Sequence, residues 1–183
     1  MMNRNVRYTV QDYMNLPESE EKRHELLEGE IYVVPSPNTI HQAIVRKISR
    51  AFEDYVLSRG MGTIFFAPLD VVLSNEDVVQ PDILFVSTER TSIITEQNIQ
   101  GAPDIVLEVL SRATASRDRT LKRARYARFG VREYWIVDPQ TKTIEILTAS
   151  ETGFDTYRVF PIGTAASSPL MAELAMQTSA IFS

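Results

Sequence analysis

Apolar positions recur at spacings of three and four through Ile40, Ala43, Ile44, Ile48, Ala51, Phe52, Tyr55 and Val56. That period lays an apolar stripe along one face of an α-helix. Asn38 is a ready N-cap and Gly60 a C-terminal stop, so one long helix is expected between them. A shorter helix is expected over Thr9–Asn15, capped by Thr9 and stopped before Pro17, and the charged residues 18–25 read as helical too. Elsewhere the pattern is that of strands. Glu28-Gly29 turns into Glu30–Val34, and Pro35-Ser36-Pro37-Asn38 ends that run. Thr63–Phe66 and Leu69–Leu73 are rich in β-branched and aromatic residues, with Ser74–Asp77 as a turn. Ile83–Val86 and Ile105–Leu110 are apolar on both faces, as central strands covered on both sides are. A helix over 117–129 closes at Gly130, and strands follow at Tyr134–Asp138, Thr143–Leu147 and Tyr157–Phe160. The tail from Gly163 carries little signal. These elements predict one α/β domain over residues 1–183, with a mixed sheet and two main helices.

Composition narrows the chemistry. The chain has 183 residues and no cysteine, which excludes disulfides, thiolate metal sites and cysteine nucleophiles. With only His24 and His41, a histidine-rich zinc site is excluded as well, and seven glycines form no glycine-rich phosphate loop. No run approaches the roughly 18 apolar residues of a membrane span, and Met1–Arg7 lacks the apolar core of a signal peptide. A cytoplasmic protein that does not enter a membrane is expected. The net charge of −5 argues mildly against a polyanionic partner, but the charge is unevenly placed. Arg112–Arg132 holds eight basic residues against Asp118, a net +7, and leaves −12 for the remainder. Such a stripe reads either as an anion-binding surface or as a solvated helix face.

One residue breaks the apolar pattern most sharply. Glu108 lies inside a strand of Ile, Val and Leu, where an ionised carboxylate needs a partner or a metal. Asp82 follows Pro81 and opens another apolar strand. If the two strands are neighbours, the carboxylates converge as hard oxygen donors of the kind that hold Mg²⁺. The alternative is that Asp82 caps a turn and Glu108 pairs with an arginine of the basic helix. On a helical wheel of residues 117–129, Leu121, Tyr126 and Phe129 define the apolar arc and Lys122 falls within it. Lys122 is then either a catalytic cation beside the carboxylates or a side chain that snorkels along the core edge. Asp104 shares a strand face with Glu108 at period two and is placed to satisfy a turn.

Pro81-Asp82, 25 residues, then Glu108-Val109-Leu110 resembles the PD-(D/E)XK signature of restriction-endonuclease-like nucleases. Leu110 stands where that signature has lysine, and Lys122 matches the variant in which the lysine has moved to the next helix. More closely, the chain resembles the Uma-type (Uma-two) family of restriction endonucleases. The stretches that carry the likeness are His24–Glu30, Pro35–Pro37 with His41-Gln42, Val79–Ile83, Ala102–Ser111, Arg117–Lys122 and above all Tyr126–Pro139. The family usually has proline after the serine of Glu108-Val109-Leu110-Ser111, where this chain has Arg112.

The resemblance implies a restriction-endonuclease-like α/β core, with a mixed central sheet flanked by helices and extended by further strands. It implies that Asp82, Glu108 and the Val109 carbonyl hold Mg²⁺ or Mn²⁺, and that Lys122 is the catalytic lysine. Glu25 or Glu28 would add an acidic group, and His41 would hydrogen-bond to the site or substrate. The expected function is a metal-dependent nuclease acting on DNA, with Arg117, Arg119 and Arg123 on its phosphates, in an enzyme that works as a homodimer. The alternative is a non-catalytic nucleic-acid-binding or assembly module that has kept the fold.

Overall fold

The computed structural model describes residues 6–16 and 23–183. Helix α1 (Val10–Met14) starts at Thr9, and the two side chains of Thr9 and Asp12 close a reciprocal capping box. Its expected stop at Pro17 lies outside the described residues, as do residues 18–22 of the expected charged helix. The visible end of that stretch corrects the expectation: residues 23–25 belong to strand β1 (Arg23–Leu27). The charged run there reads as helical, but Glu25 is buried in ion pairing, and the backbone of β1 pairs with strands on both sides.

The remaining strands run β2 (Glu30–Val34), β3 (Gly62–Phe66), β4 (Val71–Ser74), β5 (Asp77–Val79), β6 (Ile83–Ser87) and β7 (Ile99–Gln100). They continue as β8 (Ile105–Val109), β9 (Glu133–Asp138), β10 (Thr143–Ser150), β11 (Gly153–Pro161), β12 (Ala165–Ala166) and β13 (Met176–Gln177). Six form a central sheet in the order β11-β10-β9-β8-β6-β3, antiparallel except for the parallel pair β8–β9. A second sheet, β2-β1-β5-β4-β7, lies beside it. The sheet is mixed, as expected, and the surplus strands largely make up this second layer.

Helix α2 (Thr39–Arg59) begins at the Asn38 cap and ends at Gly60, whose left-handed φ of 60° releases the chain. Its Ile44, Ile48, Phe52 and Val56 pack on one face of the central sheet, with Phe52 edge-on to Trp135 at 5.0 Å. Ile40, counted in the apolar stripe, is exposed. The tail that carried little signal also packs here, through Met171 and Leu174 of the turn before β13, Met176 of β13 and Ile181 of helix α5 (Thr178–Ile181). The opposite face, with Leu84, Val106 and Ile136, is covered by the second sheet and by the basic segment. That segment runs from α3 (Ala115–Arg117) through a π-helical turn, Asp118–Lys122, into α4 (Arg123–Phe129). Every residue of β8 is therefore buried, and Glu108 is buried with them.

Asp104, just before β8, does satisfy a turn. Its fully buried carboxylate accepts from the Ser87 N–H at 2.8 Å and faces Arg90 and Arg132 at 3.4 and 3.3 Å. Burial pushes this carboxyl up, but the Ser87 N–H and the two arginines outweigh it and hold the group below its ordinary value. A lowered folded pKa contributes stability above the unfolded value, about 3.9, and loses it as pH falls through the folded one. Asp104→Asn is therefore expected to cost about 1–3 kcal/mol at pH 7. The gap to wild type should close below about pH 4, as read by urea unfolding at both pH values.

Candidate active site

Strands β6 and β8 pair with Ile83 opposite Leu107 and Leu84 opposite Val106. One step further along that register, Asp82 faces Glu108. Directly opposed residues hold their Cβ atoms about 4.5–5.5 Å apart on the same face of a sheet. The two carboxylates are therefore brought together at one strand end, about 13 Å from Asp104 at the other end of β8.

Each is held in place by neighbours of a different element. The Val109 N–H donates to Asp82 Oδ2 at 2.8 Å, and His41 Nε2, in the first turn of α2, lies 3.0 Å from the same oxygen. The Tyr126 hydroxyl of α4 donates to Glu108 Oε1 at 2.8 Å. Lys122 Nζ lies 2.5 Å from that oxygen, 2.8 Å from Glu25 Oε1 and 3.7 Å from Asp118 Oδ1. Glu25 reaches in from β1 and is fixed by the Gln80 N–H at 3.0 Å. The structure thus gathers Asp82, Glu108, Val109, Lys122, Glu25 and His41 into one place.

Burial makes the charges interact strongly. Glu25, Asp82, Glu108, Asp118 and Lys122 are all between 3% and 8% exposed. The cluster holds four carboxylates and one ammonium, which contacts three of them, so it carries an excess of acidic groups. Burial pushes Glu108 well above the ordinary carboxyl range; Lys122 opposes the shift, and Asp118, Asp82 and Glu25 add to it. Burial likewise raises Asp118. For Lys122, burial pulls down, but Glu108, Glu25 and Asp118 overcome it and hold the ammonium protonated well beyond its usual limit.

The group opens into a cavity of about 510 Å³. Its walls are the Pro35–Asn38 segment before α2, the Ser111–Thr114 turn after β8 and the Asp138–Gln140 turn after β9. Among the described residues, no three His, Asp or Glu side chains form a metal-holding cluster. A Mg²⁺ ion does not require one, because it takes one or two carboxylates and keeps several waters. Asp82 Oδ1 and Glu108 Oε2 have no hydrogen-bond partner among the described residues, since His41, the Val109 N–H, Tyr126 and Lys122 all engage the other oxygen of each carboxylate. Two such oxygens, the neighbouring Val109 backbone and the acidic excess fit a hard divalent cation.

Other expected site residues lie elsewhere. Glu28 is half exposed and pairs with Arg125 at 2.9 Å, outside the cavity, so Glu25 is the acid that joins the site. The basic stripe is not a bare cationic face, because acids and carbonyls of neighbouring strands engage it. Arg119 pairs with Glu145 at 2.9 Å and Asp138 at 3.5 Å. Arg123 donates to the Phe154 carbonyl at 2.7 Å. Arg117 lies over the Tyr32 ring at 4.7 Å. Of these three, only Arg119 lines the cavity.

The sequence reading assigned no role to Asp118, Arg125 or Tyr126's hydroxyl. A signal existed: Asp118 and Arg125 fall inside the same apolar arc that singled out Lys122, and Asp118 precedes Lys122 by one helical turn.

A family model described as "Uma2: Putative restriction endonuclease" matches residues 10–179. Among solved structures, the chain is similar to a crystal structure of "a putative nuclease belonging to DUF820" from Anabaena variabilis, with a TM-score of 0.79. The two are 23% identical, and the likeness covers 95% of this chain and 97% of that one. It establishes a shared fold, the restriction-endonuclease-like α/β arrangement. No curated protein matches the chain.

Proposed function

The chain belongs to the Uma2 restriction-endonuclease family, and on that premise we propose that it is a nuclease that hydrolyses phosphodiester bonds of DNA with Mg²⁺, or Mn²⁺ in its place. The observation that carries the reading is that Asp82, bound by the Val109 N–H, and Glu108 meet where β6 and β8 pair, with Lys122 on Glu108 and both carboxylates lining a cavity. Asp82, Glu108 and the Val109 carbonyl would hold the ion. When bound, it supplies Lewis-acid activation and neutralises charge on the phosphoryl oxygens.

The chain's own residues do the rest. His41 and the Val109 N–H fix one oxygen of Asp82, which leaves the other directed to a ligand. Tyr126 does the same for Glu108. Lys122 keeps its proton and offers a fixed positive charge where negative charge builds on the phosphate. Glu25 and Asp118 hold that ammonium in position.

The test is incubation with supercoiled plasmid and single-stranded DNA in Mg²⁺ or Mn²⁺. Cleavage that a chelator abolishes is expected. No cleavage with either metal would favour the non-catalytic binding module.

A further inference from the structure

We propose that the substrate strand must be unpaired at the cut, so that the chain acts on single-stranded DNA or unpaired flaps rather than on intact duplex. The chemistry rests on the nuclease reading above; the selection rests on the shape of the site. Asp82, Glu108 and Lys122 are each no more than 8% exposed, so a phosphate must be carried down to them. The room above them is about 510 Å³. Cavities of roughly 300–1,000 Å³ enclose one compact small molecule, so the space suits a nucleotide or two and not two paired strands.

The walls come from three separate connections, and the one before α2 carries Pro35 and Pro37, whose fixed φ angles restrict its give. Among the described residues Arg112 makes no ion pair; it is exposed and lines the cavity, as does Arg23. Two cations in the lining of an acidic cavity can hold backbone phosphates of the entering strand. Arg119, Arg123, Arg125 and Arg132 of the basic stripe are engaged by internal partners, and the exposed Arg128 lies outside the cavity, so the stripe offers no continuous cationic face beside the cavity for the side of a duplex. A paired strand could enter only after local unpairing, which costs free energy that a flap or a free strand does not.

The experiment uses one end-labelled oligonucleotide in three forms: single-stranded, annealed to a full complement, and annealed to leave an unpaired flap. With Mn²⁺, the single strand and the flap are expected to be cut at least tenfold faster than the duplex. Equal rates on duplex and single strand would overturn this inference and leave the nuclease reading intact. A second readout is fluorescence anisotropy without metal. Single-stranded DNA is expected to bind more tightly than duplex of equal length, although duplex has the denser charge. Arg112→Glu is expected to weaken single-strand binding at least fivefold. Failure of all cleavage overturns the nuclease reading, and the anisotropy comparison then decides the inference alone: tighter duplex binding rejects it.

Discussion

Replacing Lys122 with methionine is expected to slow DNA cleavage by about 10²–10³-fold, the usual loss when one preorganised electrostatic group is removed from a site that excludes water. The ammonium is 3% exposed and lies against three carboxylates, so the change also strips a buried cluster of its cation. Breaking a buried ion pair from one side costs about 3–5 kcal/mol. The pH dependence follows from Glu108 and Asp118, whose folded pKa values are raised already in the wild type. A carboxyl with a raised folded pKa is stabilising while protonated, below its unfolded value, and loses that contribution as pH rises through the folded value. Without the lysine the upward shift grows. The stability deficit of the variant should therefore be small near pH 4 and widen toward pH 8. Thermal unfolding across that range reads the deficit, and single-turnover cleavage at a temperature where both proteins are folded reads the rate. Cleavage within threefold of wild type would remove Lys122 from the reaction.

Asp77→Ala is expected to destabilise the fold by about 3–5 kcal/mol without touching the cavity. Asp77 is fully buried in β5 and takes both Nε and Nη2 of Arg125, at 2.8 and 2.5 Å. It also accepts from Ser74 Oγ and the Glu28 N–H at 2.6 and 3.0 Å. Alanine would leave Arg125, itself 6% exposed, as a buried cation with only Glu28 as an ion-pair partner among the described residues. A domain is stable by about 5–15 kcal/mol in all, so the loss is a large share of the total. The urea midpoint should fall with little change in slope, since the surface exposed on unfolding is much the same. A midpoint unchanged within error would show that the pair contributes nothing net.

The same two residues show how far the sequence could be read. Helix α2 was legible because one face of it is core: Ile44, Ile48, Phe52 and Val56 repeat at helical period and meet the sheet. Asp82 and Glu108 were legible because charge inside an apolar strand is costly, and Lys122 because it falls on the apolar side of its helix. Their meeting was not, since it depends on the β6–β8 register, a non-local pairing. Asp77 was read as the end of a turn because β5 is only three residues long. Its partner Arg125 was counted into a solvated or anion-binding stripe, because a charge count cannot tell a buried cation from an exposed one. In the second sheet β2 and β4 were legible, but β5, β7 and the tail were not, because such short strands gain their order from neighbours distant in sequence. Residues 23–25 differ in the other direction: the charged run reads as helix, and Glu25 is instead drawn inward to Lys122 from a strand.

The most direct measurement is calorimetric titration of the metal-free chain with Mn²⁺, beside Asp82→Asn under the same conditions. Asparagine keeps the size of the side chain and removes the charge that faces Glu108. Wild type is expected to take up one ion per chain saturably, and the variant to bind at least tenfold more weakly while remaining folded. Equal affinity in the two proteins, or no saturable uptake by wild type, would contradict the assignment of Asp82 and Glu108 as the metal-holding pair.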